Sequence, residues 1–277
     1  YGLNYFLIVL LGWLLLFGKA AEMNKRSEES AKREQKEKKK ETDENKVQQR
    51  EPSIRVLLTD SSWQSCYHQS VTIEKGKEHT YTQDSQELQN DSLLLDGGTD
   101  GIAIPSIERA QNPPVYYGTL EIKKTAQGLL IINELSLEAY LEAVVPSEMP
   151  ASYEEQALMA QAVCARTYAV CQIQENSLEK YGVDVDDSVN YQVYNNFGAD
   201  KRTNKAVQDT KGQILCQNGE PITAYYFSTS AGRTSTDEIW GADRSAAYLK
   251  SVECDFDQNM PWSSWSVEIP WETLEKR

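Results

Sequence analysis

Apolar and polar positions change rhythm several times along this chain, and each change predicts a different element. Tyr5 to Phe17 reads YFLIVLLGWLLLF, with no charge and a single glycine. Such a run sits comfortably in lipid as a helix, although it is short for a full span of about 20 residues. Residues 1–21 are therefore expected to be a transmembrane anchor or a signal segment, Gly18-Lys19-Ala20 favouring cleavage. A buried core helix is the remaining alternative. The chain begins at Tyr1 rather than Met, so the basic flank that would set orientation is expected to be missing. Glu22 to Glu51 then holds little but Glu, Lys, Arg, Gln, Ser and Asn, with Met23, Ala31 and Val47 its clearly apolar side chains. Residues 22–52 are expected as a charged linker, either a solvated helix with mixed-sign i,i+4 pairs or a disordered spacer.

From Ser53 the rhythm shortens. Ile54-Arg55-Val56-Leu57-Leu58, Val71-Thr72-Ile73, Ser92 to Leu95 and Gly101 to Ile104 read as short strands between Gly, Asp, Asn and Ser clusters. Tyr116 to Lys124 and Leu129 to Asn133 follow, with Gln127-Gly128 as the turn between them. The period then lengthens: Leu137, Tyr140, Leu141, Val144 and Val145 mark a helix capped by Ser136, which Pro146 is expected to stop. A second helix is predicted from a capping box at Ser152-Tyr153-Glu154-Glu155 to about Glu175. Gly212 to Cys216 and Ile222 to Phe227 read as strands joined at Asn218-Gly219, and Trp271 to Arg277 has a helical pattern. The expectation is an α+β fold over 53–277, in one domain or two sub-domains. Its N-terminal part is β-rich, and a helical pair flanks the turn at Pro146 to Pro150.

Charge narrows the partners. Residues 19–50 hold 11 of the 28 Lys and Arg but 8 of the 42 Asp and Glu, so the part from Glu51 onward carries a net charge of about −17. An acidic body is repelled by nucleic acid and by anionic lipid headgroups, which leaves a neutral or locally engaged polymer as the better partner. The five cysteines include no C-x-x-C pair and cannot all pair within one chain. Cys164 and Cys171 fall on one predicted helix about 10 Å apart along its axis, beyond disulfide reach, and read as small buried hydrophobes.

Several chemistries lack their residues. The sequence has no G-x-S-x-G, Walker A, H-E-x-x-H or G-x-G-x-x-G, and its two histidines, His68 and His79, lie in the β-rich part with no marked nucleophile nearby. What remains is a polar set: Glu148, Gln161, Arg166, Gln192, Tyr194 and the run Tyr225 to Thr234. Carboxylate, amide, hydroxyl and aromatic groups suit sugars. Cleaving a glycosidic bond requires an acid whose pKa is raised by partial burial. Glu148 is expected on a short rigid loop between Pro146 and Pro150. Spacing alone leaves open whether it is catalytic or a solvated turn residue.

The stretch Val144-Val145-Pro146-Ser147-Glu148-Met149-Pro150, followed by Gln156-Ala157-Leu158-Met159-Ala160-Gln161-Ala162-Val163-Cys164-Ala165-Arg166-Thr167-Tyr168, closely resembles the signature of the stage II sporulation protein D family. The likeness extends to Asn133 to Leu141, Thr210 to Gln213, Tyr225 to Thr234 and Tyr248 to Val252, about 200 residues in all. This resemblance implies a lytic transglycosylase that cuts the β-1,4 bond between N-acetylmuramic acid and N-acetylglucosamine in peptidoglycan, with a preference for strands stripped of stem peptides. It assigns the acid/base to Glu148 and asks for no second carboxylate, unlike the two-carboxylate hydrolases. Arg166 is expected either to orient substrate or Glu148, or to form a structural ion pair. Gln161, Gln192, Tyr194, Tyr226, Ser228, Ser230, Thr234 and Lys250 are candidates for the glycan groove, with loop and strand hydrogen bonding as the alternative for each.

Some relatives look able to hold zinc, using a histidine where Phe227 stands here. This chain has no histidine after His79, so neither a metal nor another cofactor is expected. The resemblance further implies an extracytoplasmic domain on a single-pass membrane anchor, working with a wall amidase and other engulfment proteins. A glycan-binding modifier of an amidase and a structural tether between membrane and wall are the competing functions.

Overall fold

The computed structural model describes residues 51–194, 198–230, 232–235, 246–257, 260, 263–264 and 266–271. The expected anchor at 1–21, nearly all of the linker and the pattern at 272–277 lie outside the described residues. Among the described residues no helix is long and apolar enough to cross a membrane.

The predicted α+β class holds, with a β-rich first half. Its strands are β1 (Ser53–Leu58), β2 (Ser70–Lys75), β3 (Lys77–Thr82), β4 (Ser92–Asp96), β5 (Ile102–Ala103), β6 (Val115–Tyr116), β7 (Thr119–Lys124) and β8 (Leu129–Ser136). Then come α1 (Leu137–Glu148), α2 (Glu155–Glu175), β9 (Val185–Asp186), α3 (Lys201–Asp209) and the short pair β10 (Cys216–Gln217) and β11 (Glu220–Pro221). One sheet has the order β4-β7-β8-β1-β9 and a second the order β3-β2-β5-β6. All pairs in the first are antiparallel except β1 with β9.

β8 organises the interior. Leu129 and Ile131 point into the main core with Ile54, Val56, Ile122 and Tyr140, while Leu130 and Ile132 join Leu57 and Val183 on the opposite face. Burial on both faces is why this strand reads as a continuous apolar run rather than an alternation. It continues past Asn133 to Ser136, which pairs with Ser53 across β1 and also caps α1, accepting the Ala139 N–H at 3.3 Å. Strand and helix thus share a residue, and α1 begins without a loop. Gly118, before β7, has φ +77°, and a Cβ there would collide with the Glu134 carbonyl oxygen, so only glycine lets β7 lie against β8 at this point.

Two expectations about the helices change. Pro146 does not stop α1, which runs through it to Glu148. Near the helix end the lost hydrogen bond is tolerated, Ser147 Oγ donates to the Ala143 carbonyl at 2.7 Å, and the Met149 N–H still reaches the Val145 carbonyl at 2.9 Å. The stop is set by Pro150, which forces Met149 into extended backbone at φ −137°, ψ 128°. Likewise α2 begins at Glu155 after Glu154, with no side-chain cap from the expected box, and ends on Asn176 in the left-handed region. The turn at Asn218-Gly219 is present, with φ +55° and +88°, but it joins two-residue strands, and Ile222 to Phe227 is not a strand.

Candidate active site

Glu148 is the last helical residue of α1, half-buried rather than perched on a loop. Its carboxylate accepts the Val193 backbone N–H at 2.7 Å and the Tyr226 hydroxyl. Behind these two donors stands a buried amide. Gln192 Nε2 donates to the Tyr226 hydroxyl at 3.0 Å and to the Ala165 carbonyl at 3.2 Å, while its Oε1 accepts the Tyr140 hydroxyl at 3.3 Å. With its oxygen already receiving a proton from Gln192, the Tyr226 phenol is left to donate toward Glu148. Alongside, the Tyr194 ring lies 5.3 Å from that of Tyr140 and its hydroxyl donates to Asn133 Oδ1 at 2.9 Å.

The segment carrying Gln192 and Val193 is tied to the sheet by Asp187. Its Oδ1 accepts the Thr59 N–H and hydroxyl at 3.0 and 2.7 Å, and its Oδ2 accepts Arg109 Nη2 and Nε at 2.5 and 3.2 Å. The Tyr194 N–H returns to the Asp187 carbonyl at 3.1 Å and closes the loop. Arg109 in turn stacks on Trp63, 4.0 Å from the ring centroid.

Two cavities meet at Glu148. One, of about 320 Å³, is walled by Tyr168, Tyr191, Tyr225 and Tyr226 with Val189, Asn190 and Val193. The other, of about 390 Å³, is walled by residues Pro146 to Ala151 with Gly198 and Asp200. Aromatic faces with a few hydrogen-bonding groups are suited to pyranose rings. Burial raises the Glu148 pKa above the ordinary glutamate value, and the Val193 N–H and Tyr226 hydroxyl only partly offset it. Burial also lifts the Tyr168 phenol to about 12, so it is a neutral donor at physiological pH. The arrangement is a half-buried carboxyl group facing a cleft, with its pKa raised by burial and two donors that favour its anion.

Residues 125–216 match the family model described as stage II sporulation protein, and the stage II sporulation protein D of Bacillus subtilis is 38% identical over 144 residues, 47% of this chain and 42% of that protein. The chain carries a stage II sporulation protein D family domain. The amidase enhancer of Bacillus subtilis is 38% identical to it over 220 residues, 69% of this chain and 29% of that protein. An uncharacterised protein of Brachyspira hyodysenteriae is 34% identical over 172 residues, 60% of this chain and 43% of that protein. The chain spans less than half the length of each of these relatives.

Around Glu148 the expected groove residues scatter. Tyr226 lines the cleft and Gln192 stands directly behind it. Tyr194 is buried in a layer further back. Arg166 takes the ion-pair alternative and not the substrate-binding one: it is 1% exposed and gives Glu138 a bidentate pair, Nε to Oε1 at 2.9 Å and Nη2 to Oε2 at 2.7 Å. It also donates to the carbonyls of Ala162, Val207 and Gln213 and to the Thr210 hydroxyl, so it locks α1, α2 and the end of α3 together. Gln161 is buried on α2 and lines neither cavity beside Glu148. Ser230 is held by Asp257 through Oγ and N–H, and Thr234 exchanges hydrogen bonds with Val252, so both serve local structure. Ser228 and Lys250 are exposed and outside the cleft walls. His68 is buried with Nε2 3.0 Å from the Leu58 carbonyl, and burial lowers its pKa. Among the described residues no three His, Cys, Asp or Glu side chains are grouped to hold a metal ion.

Sequence reasoning missed the Val193 N–H, Tyr168 and Tyr191. A backbone donor leaves no residue-type signal, whereas Tyr168 sits two residues after Arg166 inside the stretch already singled out.

Proposed function

We propose that this domain is a peptidoglycan lytic transglycosylase in which Glu148 is the single acid and base. The observation that carries the reading is Glu148 itself: a half-buried carboxyl with a raised pKa where two cavities meet, hydrogen-bonded to Val193 and Tyr226. Protonated Glu148 donates to the glycosidic oxygen as the bond to the muramoyl C1 breaks. The muramoyl C6 hydroxyl oxygen then bonds to C1, its proton returns to the Glu148 carboxylate, and a 1,6-anhydro end is left. Val193 and Tyr226 stabilise the carboxylate between the two proton transfers.

A hydrolase needs a second carboxylate for water or for a covalent intermediate. Among the described residues the other carboxylate on the walls of these two cavities is Asp200, whose Oδ1 caps α3 by accepting the N–H groups of Arg202 and Thr203. Attack by the substrate's own hydroxyl removes that need. The family supports a role in wall remodelling; on the same proposal the substrate is peptide-free glycan strands, which a wall amidase would supply. A single-pass anchor holding the domain on the wall side of the cell membrane belongs to the same proposal.

A second reading is favoured by the amidase enhancer, whose match covers 69% of this chain against 47% for the sporulation protein. There the domain binds glycan and assists an amidase without cutting. Incubating purified protein with peptide-free glycan strands and separating the products by mass decides between them. New anhydro-ended fragments that vanish in Glu148→Gln support the enzyme; unchanged strands with retained binding support the modifier.

A further inference from the structure

The geometry points to a third sugar-binding compartment, outside the cleft at Glu148, that lengthens the bound glycan along α1. It rests on the glycan reading of the Glu148 site and adds to it a place for a neutral N-acetylhexosamine unit. A cavity of about 360 Å³ opens beside the first half of α1 and shares Gly198 with the cavity walled by Pro146 to Ala151. Both therefore use the same helix as floor: Ala139 and Ala143 in this compartment, Pro146 to Glu148 in the next. From Ala139 to Glu148 is nine residues, about 14 Å of helix. At about 100° per residue Ala139, Ala143 and Pro146 fall within about 60° of one another around the helix, so this compartment and the one at Pro146 adjoin on one side of α1.

Its chemistry is that of a sugar site. Tyr117 is 52% exposed and presents a ring to the cavity, as pyranose stacking requires. Ala139 and Ala143 offer an apolar floor to an acetamide methyl group. Gln111, Glu142 and Asn204 supply the polar groups. Glu142 is held by Gln208 Nε2 at 2.7 Å and Asn204 Nδ2 at 3.4 Å, while Asn204 Oδ1 is buried and has no hydrogen-bond partner among the described residues. Asn204 and Glu142 are thereby fixed against each other in the cavity wall, with Asn204 Oδ1 itself closed off from the ligand space. Among the described residues the walls contain no cationic side chain, so a neutral N-acetylglucosamine unit fits better than one bearing a carboxylate.

The test is calorimetric titration of Glu148→Gln with the neutral tetramer and hexamer of N-acetylglucosamine. The hexamer is expected to bind more tightly, and Tyr117→Ala and Asn204→Leu are each expected to remove that advantage, about tenfold, while leaving tetramer affinity alone. Equal affinity for both oligomers, or variants indistinguishable from their parent, overturns the third compartment and leaves the Glu148 site intact. Failure of either oligomer to bind at all overturns the glycan reading of Glu148 together with this one.

Discussion

Removing Arg166 separates its structural role from any part in binding. Arg166→Leu deletes both hydrogen bonds to Glu138 and those to the Val207 and Gln213 carbonyls, all inside the α1–α2–α3 packing. Breaking a buried pair by removing one partner costs about 3–5 kcal/mol, because the remaining charge is stranded. The Gly212 N–H still donates to Glu138 at 3.2 Å, which places the expected loss toward the lower end. For a domain of this size that corresponds to a fall in Tm on the order of 10 °C. Urea unfolding and calorimetry measure it. Replacing Glu138 as well should recover at least about 1 kcal/mol relative to the single variant, since no unpaired charge is then buried. KM of the folded Arg166→Leu protein should match the parent. Parental stability combined with a several-fold higher KM would refute the argument and return the guanidinium to the substrate.

Tyr226→Phe removes a donor that lowers the Glu148 pKa, so that pKa rises further, and the high-pH limb of the rate profile should move to higher pH; a downward shift contradicts the assignment. Gln192→Leu should lower kcat about 10–100-fold with little change in KM, because it frees the Tyr226 hydroxyl without touching the cleft wall; a pure KM effect would place Gln192 on the substrate instead. Because Glu148 has a raised folded pKa, the native state binds more protons between the unfolded and folded values, and its stability contribution is lost as pH rises through that window. Denaturation at several pH values should show Glu148→Gln gaining on the parent as pH rises, and a constant difference would contradict it. Gly118→Ala should destabilise by about 2 kcal/mol or more through the positive φ and the clash with Glu134, measured by urea unfolding; a neutral effect would mean the β7–β8 approach relaxes freely.

The strands that bury alternate faces or whole runs, such as Ile54 to Leu58 and Leu129 to Ile132, were legible because burial leaves an apolar pattern. β9 was not: two residues, Val185 and Asp186, carry no period, and their pairing with β1 is set by Asp187 and its contacts from elsewhere in the chain. α3 was also missed, although Asp200 as cap and the buried Thr203, Ala206 and Val207 mark it in hindsight; its surface is so polar that it reads as a loop. Glu148 was legible from its motif but not from its surroundings. Its environment depends on Gln192, Val193 and Tyr226, distant residues whose approach no local pattern encodes. Arg166 illustrates the converse, since a family motif marks residues that hold the helices together as readily as residues that meet substrate.

On the proposed mechanism, bond cleavage at Glu148 uses the substrate's own hydroxyl and no water. Digestion of peptide-free glycan in heavy-oxygen water, read by mass spectrometry of the new ends, tests it directly. Anhydro ends without heavy oxygen are expected from the parent protein, and no new ends from folded Glu148→Gln. Heavy oxygen at the new ends, or undiminished cleavage by Glu148→Gln, would contradict it.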